Sequence, residues 1–137
     1  LKEELKNYLK SLGFEPVDLG TFSEASVDYP DYAHPVASAV ENGEAAFGIL
    51  LCGSANGVCM TANKHQGIRA GLCWQNDVAK LTRQHNDANI ICIPARFVSL
   101  ELAKQMIELF METASDEEKR RRLSGEVYIT QVEVEVA

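Results

Sequence analysis

A continuous apolar run, Phe47 to Leu51, ends at Cys52 and passes into the small-residue stretch Gly53-Ser54-Ala55-Asn56-Gly57. No other stretch constrains the fold as much. Five apolar residues without polar alternation have the length of a strand covered on both faces, the condition of an interior strand in a parallel sheet. The residues after Cys52 predict a turn that exposes backbone N–H groups, and Val58 to Lys64 a short helix. A strand, loop and helix in this order present partial positive charge at the loop, where an anion or a developing oxyanion is held without a cationic side chain. A thiol beside that field gains thiolate character, which suits it to take a proton from carbon or to act as a nucleophile. Two readings of Cys52 stand at this point: a reactive thiol, or a small apolar residue closing a strand.

The rest of the chain alternates in the same way. Leu1, Leu5, Leu9 and Leu12 fall on one helical face, and Gly13 is placed to end that helix in a left-handed conformation. Phe14 to Leu19 predicts a strand, Thr21 to Tyr32 a polar loop, and Tyr32, Val36, Ala37 and Val40 a helix closing at Asn42-Gly43. Beyond the central unit, Ile68 to Trp74 reads as a strand, Asn76 to Gln84 as a helix and Asn89 to Ile93 as a strand. Ser99 then caps a longer helix that turns Leu100, Ala103, Ile107 and Phe110 inward. The alternation predicts an α/β fold, a three-layer Rossmann-like open parallel sheet with helices on both faces. Residues 1–137 read as one domain, with 124–137 a divergent tail. There Val132, Val134 and Val136 alternate with Glu133 and Glu135 as in a half-exposed strand. Ligands in this architecture bind at the carboxyl ends of strands. Two segments are expected to carry chemistry there: Cys52 with its loop, and Arg83-Gln84-His85-Asn86-Asp87, which leads into the next strand, with His85 in a polar loop between helix and strand.

Composition narrows the chemistry. The chain has 137 residues, 46% of them hydrophobic, enough for a sizeable core, and a formal net charge of −7 that argues against nucleic-acid or anionic-membrane partners. Neither a signal peptide nor a membrane-length apolar run is visible, so the cytoplasm is the expected compartment. Cys52, Cys59, Cys73 and Cys92 lack metal-type spacing and read as reduced thiols, three of them packing residues; with no CxxC to bring a resolving thiol close, a redox role is the weakest reading. The absence of GxGxxG, a Walker lysine and GxSxG removes the commonest nucleotide and hydrolase readings. His85 sits in a polar segment where a packing role is unnatural; His34 and His65 are weaker candidates. Arg96 follows Pro94-Ala95 at a strand end, from which a guanidinium reaches a phosphate bidentately or makes a surface ion pair. Lys119 to Arg122 reads as a solvated helix end. A thiol, a loop of amides, a histidine and arginines together point to proton transfer on a small phosphorylated substrate.

At this point three blocks match a known family. Leu51 to Gly57 followed by Ala62-Asn63-Lys64 and Gly67-Ile68-Arg69-Ala70, then Arg83 to Asn89, then Asp28-Tyr29-Pro30, resemble the type B ribose-5-phosphate isomerases and the related galactose-6-phosphate isomerase subunits, over about Leu1 to Phe110. The resemblance implies aldose–ketose isomerisation through an enediolate. Cys52 would be the base, Ser54 would help position it, and the amides of Gly53, Ala55, Asn56 and Gly57 with Asn86 would stabilise the enediolate oxygens. His85 would open the furanose ring, and Arg96 would bind the phosphate. It also implies no metal or other cofactor, and a homodimer or homotetramer whose active sites each draw on two subunits. Relatives that lack the cysteine carry a glutamate base after the last loop glycine; Val58 stands there, so the chain resembles the thiol users.

Three departures carry further expectations. The family opens with a central strand ending in an Asp-His pair, and Leu1 follows it, so residues are expected before Leu1 in the whole protein, and loss of that strand would leave a slot in the core. Ala55 stands where the family loop usually has glycine, a strained choice if that position needs positive φ. The family's C-terminal pair of phosphate-binding arginines falls on Lys119, which still supplies charge, and on Leu123, which does not. Ribose 5-phosphate and ribulose 5-phosphate are the expected pair. The alternatives are a six-carbon sugar phosphate such as galactose or allose 6-phosphate, and a subunit that binds sugar phosphate without turnover.

Overall fold

In the computed structural model, residues 1–20, 30–113 and 126–132 are described, together with the side chains of 127–131 in the last segment. The chain runs α1 (Lys2–Ser11), β1 (Glu15–Asp18), α2 (Pro30–Glu41), β2 (Phe47–Cys52), α3 (Asn56–Ala62), β3 (Ala70–Leu72), α4 (Asn76–Asn86), β4 (Ile90–Pro94), α5 (Leu100–Glu112) and β5 (Glu126–Val132). The five strands form one sheet in the order β1-β5-β2-β4-β3, every pairing parallel. This is the Rossmann-like α/β architecture that the alternation of apolar segments predicts.

β2 shows why the layers form. All six of its residues are buried, and because successive side chains point to opposite faces, the strand feeds two cores at once. Phe47, Ile49 and Leu51 join Leu5 and Leu9 of α1, Ala79 of α4 and Ala103, Ile107 and Phe110 of α5 on one face. Leu50 and Cys52 join Val36, Ala37 and Val40 of α2 and Val58 and Ala62 of α3 on the other. Each buried Val, Leu, Ile or Phe side chain among these contributes about 1.5–3 kcal/mol. Gly48 sets the closeness of α2: a Cβ there would stand 2.8 Å from Val36 Cγ1 and 3.1 Å from Ile90 Cγ1.

Several boundaries differ from the sequence expectations for identifiable reasons. α2 starts at Pro30, inside the expected polar loop; residues 21–29, Asp28 among them, lie outside the described residues. α3 starts two residues before Val58 because Ala55, at φ 64° and ψ 1°, turns the chain into the helix at once. β3 is three residues long, an edge strand with β4 as its one partner among the described strands. α4 continues past the expected Gln84 to Asn86, so His85 belongs to its last turn and not to a polar loop. Arg83 pins that turn. Fully buried, its guanidinium lies 4.8 Å from the Phe47 ring centroid and 5.5 Å from that of Phe110, and Nε donates to the Thr113 carbonyl at 3.1 Å.

The largest difference is β5. The tail supplies an interior strand between β1 and β2, with Val127, Ile129 and Thr130 buried, while the side chains of the Val132 to Val136 alternation read as half-exposed lie outside the described residues. Val127 and Ile129 enter the core beside α1 and α5, while Tyr128 packs on the opposite face. The ladder with β1 continues past Asp18 through Leu19 N to Ile129 O at 3.2 Å and Gln131 N to Gly20 O at 3.3 Å.

Candidate active site

β2 delivers Cys52 to the carboxyl edge of the sheet, level with Pro94 of β4 and Val132 of β5. Cys52 as a residue is 8% exposed. The loop that follows is fastened to the exit of β4: Ala95 N donates to Cys52 O at 2.8 Å and Arg96 N to Gly53 O at 3.1 Å. Ala55 occupies the left-handed region that favours glycine, a conformation costing an alanine about 1–2 kcal/mol, and it is held there fully buried. It offers no side chain to cap α3, whose Cys59 N makes a bond to Ala55 O at 3.1 Å. The N–H groups ahead of Cys59 have no acceptor within the helix; that of Asn56 donates to Ser54 Oγ at 3.4 Å. The Arg96 side chain lies across Gly53, where a Cβ would stand 2.9 Å from Nε and 3.2 Å from Cζ. Thiol, amide donors and guanidinium thus converge, with Ser54 and Asn56 exposed beside them. Such a group can move a proton at carbon, hold the oxygen on which charge develops and bind a phosphate.

His85 and Asn86 are not part of this convergence within one chain. α4 leaves the carboxyl end of β3 and runs back, so its last turn lies at the amino edge, where Asp87 adopts φ 50° and the chain enters β4. The Arg69 guanidinium donates to Asn86 O, and Asn89 O accepts from Gly48 N at 3.0 Å, which places the segment level with the start of β2. Four residue steps separate Gly48 from Cys52, about 13 Å at about 3.3 Å per residue. The expectation that this segment lies at a carboxyl strand end is corrected: it leads into an amino end. Both side chains are exposed. Asn86 also lines, with Asn63, Arg69, Gly71 and Thr82, a cavity of about 290 Å³ beside β3. Lys119 lies outside the described residues.

The weaker candidates join into a structural tie. His34 Nδ1 and His65 Nε2 are 2.8 Å apart, His65 Nδ1 is 3.2 Å from Glu41 Oε1, and Glu41 Oε2 accepts from Gly67 N at 2.7 Å. The Gly67 N–H, then His65, holds the Glu41 carboxyl below its ordinary value. A second polar group at the carboxyl edge escaped the sequence reading. Lys2 and Lys6 place their ammonium groups 3.0 and 3.1 Å from Asp18, and Lys2 N donates to Gln131 Oε1 at 3.1 Å. On sequence the two lysines belong to a solvated helix face, and nothing local marks them. Among the described residues no group of three or more His, Cys, Asp or Glu could hold a metal ion, and no helix is long and apolar enough to cross a membrane.

Comparison with known proteins places this geometry. A sequence model of the family described as Ribose/Galactose Isomerase matches residues 1–125. Ribose-5-phosphate isomerase B of Escherichia coli is 45% identical over 111 residues, covering 81% of this chain and 74% of the relative. Among solved structures, a ribose 5-phosphate isomerase from Thermotoga maritima is similar with a TM-score of 0.81 and 48% identity, over 88% of this chain and 86% of that one. Ribose-5-phosphate isomerase B of Mycoplasma genitalium, solved with bound ribulose 5-phosphate, is similar with a TM-score of 0.79 and 38% identity, over 88% and 82% of the two chains.

Proposed function

The chain belongs to the ribose/galactose isomerase family and is a sugar-phosphate isomerase, and from that premise we propose that it interconverts ribose 5-phosphate and ribulose 5-phosphate with Cys52 as the base. The observation that carries the reading is the convergence at the carboxyl edge of β2, where Cys52 stands beside a loop of amides with Arg96 lying across Gly53. The Cys52 thiolate removes the proton from C2 of the open-chain aldose, and the electron pair moves onto the carbonyl oxygen to give an enediolate. Return of the proton to C1 gives the ketose. Ser54 positions the thiol. The N–H groups of Gly53, Ala55, Asn56 and Gly57 hold the enediolate oxygens, a preorganised field whose donors are worth about 2.7–4 kcal/mol each in comparable sites. Arg96 binds the phosphate, with Lys119 as a further cation.

His85 donates a proton to the ring oxygen to open the furanose, and Asn86 holds an enediolate oxygen. Both act on the Cys52 loop of a second copy, since in one chain they stand at the opposite edge of the sheet. The active form is therefore a homodimer, or a tetramer built from such dimers, with sites shared between copies. A six-carbon sugar phosphate is the runner-up substrate, favoured by a family description that names galactose beside ribose.

Exchange of the C2 proton of ribose 5-phosphate with deuterated solvent tests the central step. Cys52→Ala is expected to abolish exchange while ribose 5-phosphate still binds. Unchanged exchange removes Cys52 from the mechanism, and binding without exchange in the unaltered protein makes it a non-catalytic subunit. Comparing kcat/KM for ribose 5-phosphate and galactose 6-phosphate decides the substrate.

A further inference from the structure

His85 and Asn86 are exposed, and among the described residues neither the imidazole nor the Asn86 side-chain amide makes a hydrogen bond. Their direction is therefore set by the backbone that carries them, the end of α4 and the turn into β4. One side of that turn is fixed by the core: Arg83, fully buried, donates from Nη1 to Ala88 O and from Nε to Thr113 O at 3.1 Å. The other side borders the cavity beside β3, where there is space in place of packing. Asp87, at φ 50°, turns the chain between them, with its N–H on Arg83 O at 3.1 Å and that of Ala88 on Thr82 O at 3.1 Å.

Hydrogen bonds to the start of β3 do on that side what packing does not. Asn89 N donates to Arg69 O at 2.9 Å, Arg69 N to Asn89 Oδ1 at 2.9 Å, and Asn89 Nδ2 to Gly67 O at 2.9 Å. These use the main chain of Gly67 and Arg69, so they persist whatever side chain position 69 carries. The Arg69 guanidinium adds a further bond, from Nε to Asn86 O. That carbonyl is one of the last four of α4, which have no donor within the helix, and a bond from an ionised donor is about twice as strong as a neutral one. Holding it fixes the peptide plane after Asn86, and with it the angle at which His85 and Asn86 leave the edge of the sheet. Of the other polar side chains around the cavity, Asn63 is engaged with both polar atoms of the Ala70 backbone and Thr82 accepts from the Cys73 thiol, which leaves Arg69 to tie the turn across it.

We propose that Arg69 is a positioning residue for the isomerase reaction: by holding the Asn86 carbonyl it sets the direction in which His85 and Asn86 reach the Cys52 loop of a second copy. The proposal rests on the shared site inferred above. Arg69 stands at the amino edge, level with Asn89 and Gly48, with the height of the sheet between it and the Cys52 of its own chain. It acts through the turn and not on the substrate. Without the guanidinium, water takes the exposed carbonyl, so the loss falls on geometry more than on folding. A displacement of about 1 Å at a reacting site lowers rates by about 100-fold.

The test compares two variants of the full chain that differ in one donor. Gln places an amide N–H where Arg69 Nε stands, and Met fills the same length without one. Arg69→Met is expected to lower kcat for ribose 5-phosphate about 10- to 100-fold. KM should stay within about 3-fold, because Arg96 still holds the phosphate, and the denaturation midpoint should hold, because Asn89 still laces the turn. Arg69→Gln should keep kcat within about 3-fold of the unaltered protein. Mixing copies then assigns the defect to one half of the site. In a dimer of one Arg69→Met and one Cys52→Ala chain, the Cys52 of the first meets unaltered Arg69, His85 and Asn86 of the second, and turnover should recover to about 25% after full exchange. Arg69→Met mixed with His85→Ala leaves no site undamaged, and turnover should not rise above that of Arg69→Met alone. Undiminished kcat in Arg69→Met, or equal loss in both variants, overturns the proposal. So does a Cys52→Ala mixture that fails to recover while the control mixture of Cys52→Ala with His85→Ala does, since the defect then reaches the Cys52 loop of the same chain. No recovery in the control, with copies that co-purify, overturns the shared site first and the proposal with it.

Discussion

At Gly53 the space a side chain would need is already taken by Arg96. The glycine has no left-handed backbone to justify it, so its role is to let the guanidinium lie flat against the loop. Gly53→Ala therefore separates binding from folding. The added methyl meets the far end of a flexible side chain, which moves at little cost, and stability is expected to stay level or to rise by up to about 1 kcal/mol. Arg96 loses its placement over the loop, and with it a charge-assisted phosphate contact of about 1.5–3 kcal/mol, so KM for ribose 5-phosphate should rise about 10- to 100-fold while the denaturation midpoint holds. Unchanged KM would take Arg96 out of phosphate binding. At this scale the sequence is most legible where chemistry is local. Cys52 and its loop are written in consecutive residues. Arg83 is not: it sits in a polar-looking segment, and its burial depends on Phe47, Phe110 and Thr113, contacts that only the folded chain creates.

α1 and β1 are held together by a compact ion cluster whose pH response can be read from its parts. Burial pushes the Asp18 carboxyl up, but the Gly20 N–H at 2.9 Å and the Lys2 and Lys6 ammonium groups outweigh it, so the folded value lies below the ordinary 3.8. Lys6 is correspondingly raised, Asp18 being the largest cause. A carboxyl depressed in the folded state contributes stability above its unfolded value, and that stability is lost as pH falls through the folded one. Asp18→Asn removes this dependence. Denaturant titrations between pH 7 and pH 3 should show the unaltered protein losing more stability than the variant in the acid limb, and parallel curves would mean that the cluster contributes nothing. Elements whose burial follows from their own pattern, such as β2, α2 and α5, were legible in sequence. β5 was not, because Val/Glu alternation beyond residue 131 reads as one solvated face. Within the strand, Thr130 is instead buried with its hydroxyl donating to Gly20 O, an acceptor that belongs to the far end of the chain.

The sheet is what divides the proposed machinery. In a parallel sheet every strand points the same way and every helix returns, so a residue at a strand's end and one at the end of a returning helix lie at opposite edges. Cys52 and His85 are such a pair. A two-fold assembly removes the conflict by setting the amino edge of one copy against the carboxyl edge of the other, which gives two equivalent sites per dimer. Mixing inactive variants turns this into arithmetic. A dimer of one Cys52→Ala chain and one His85→Ala chain holds one site damaged twice and one intact, with Cys52 from one chain and His85 from the other. After full subunit exchange of an equal mixture, half the dimers are mixed and half their sites intact, so turnover should recover to about 25% of the unaltered protein. Sites completed within one chain give no recovery, since every chain then carries a damaged site. Differently tagged copies that co-purify establish that exchange took place, and co-purification without recovered turnover would overturn the shared site while leaving the dimer standing.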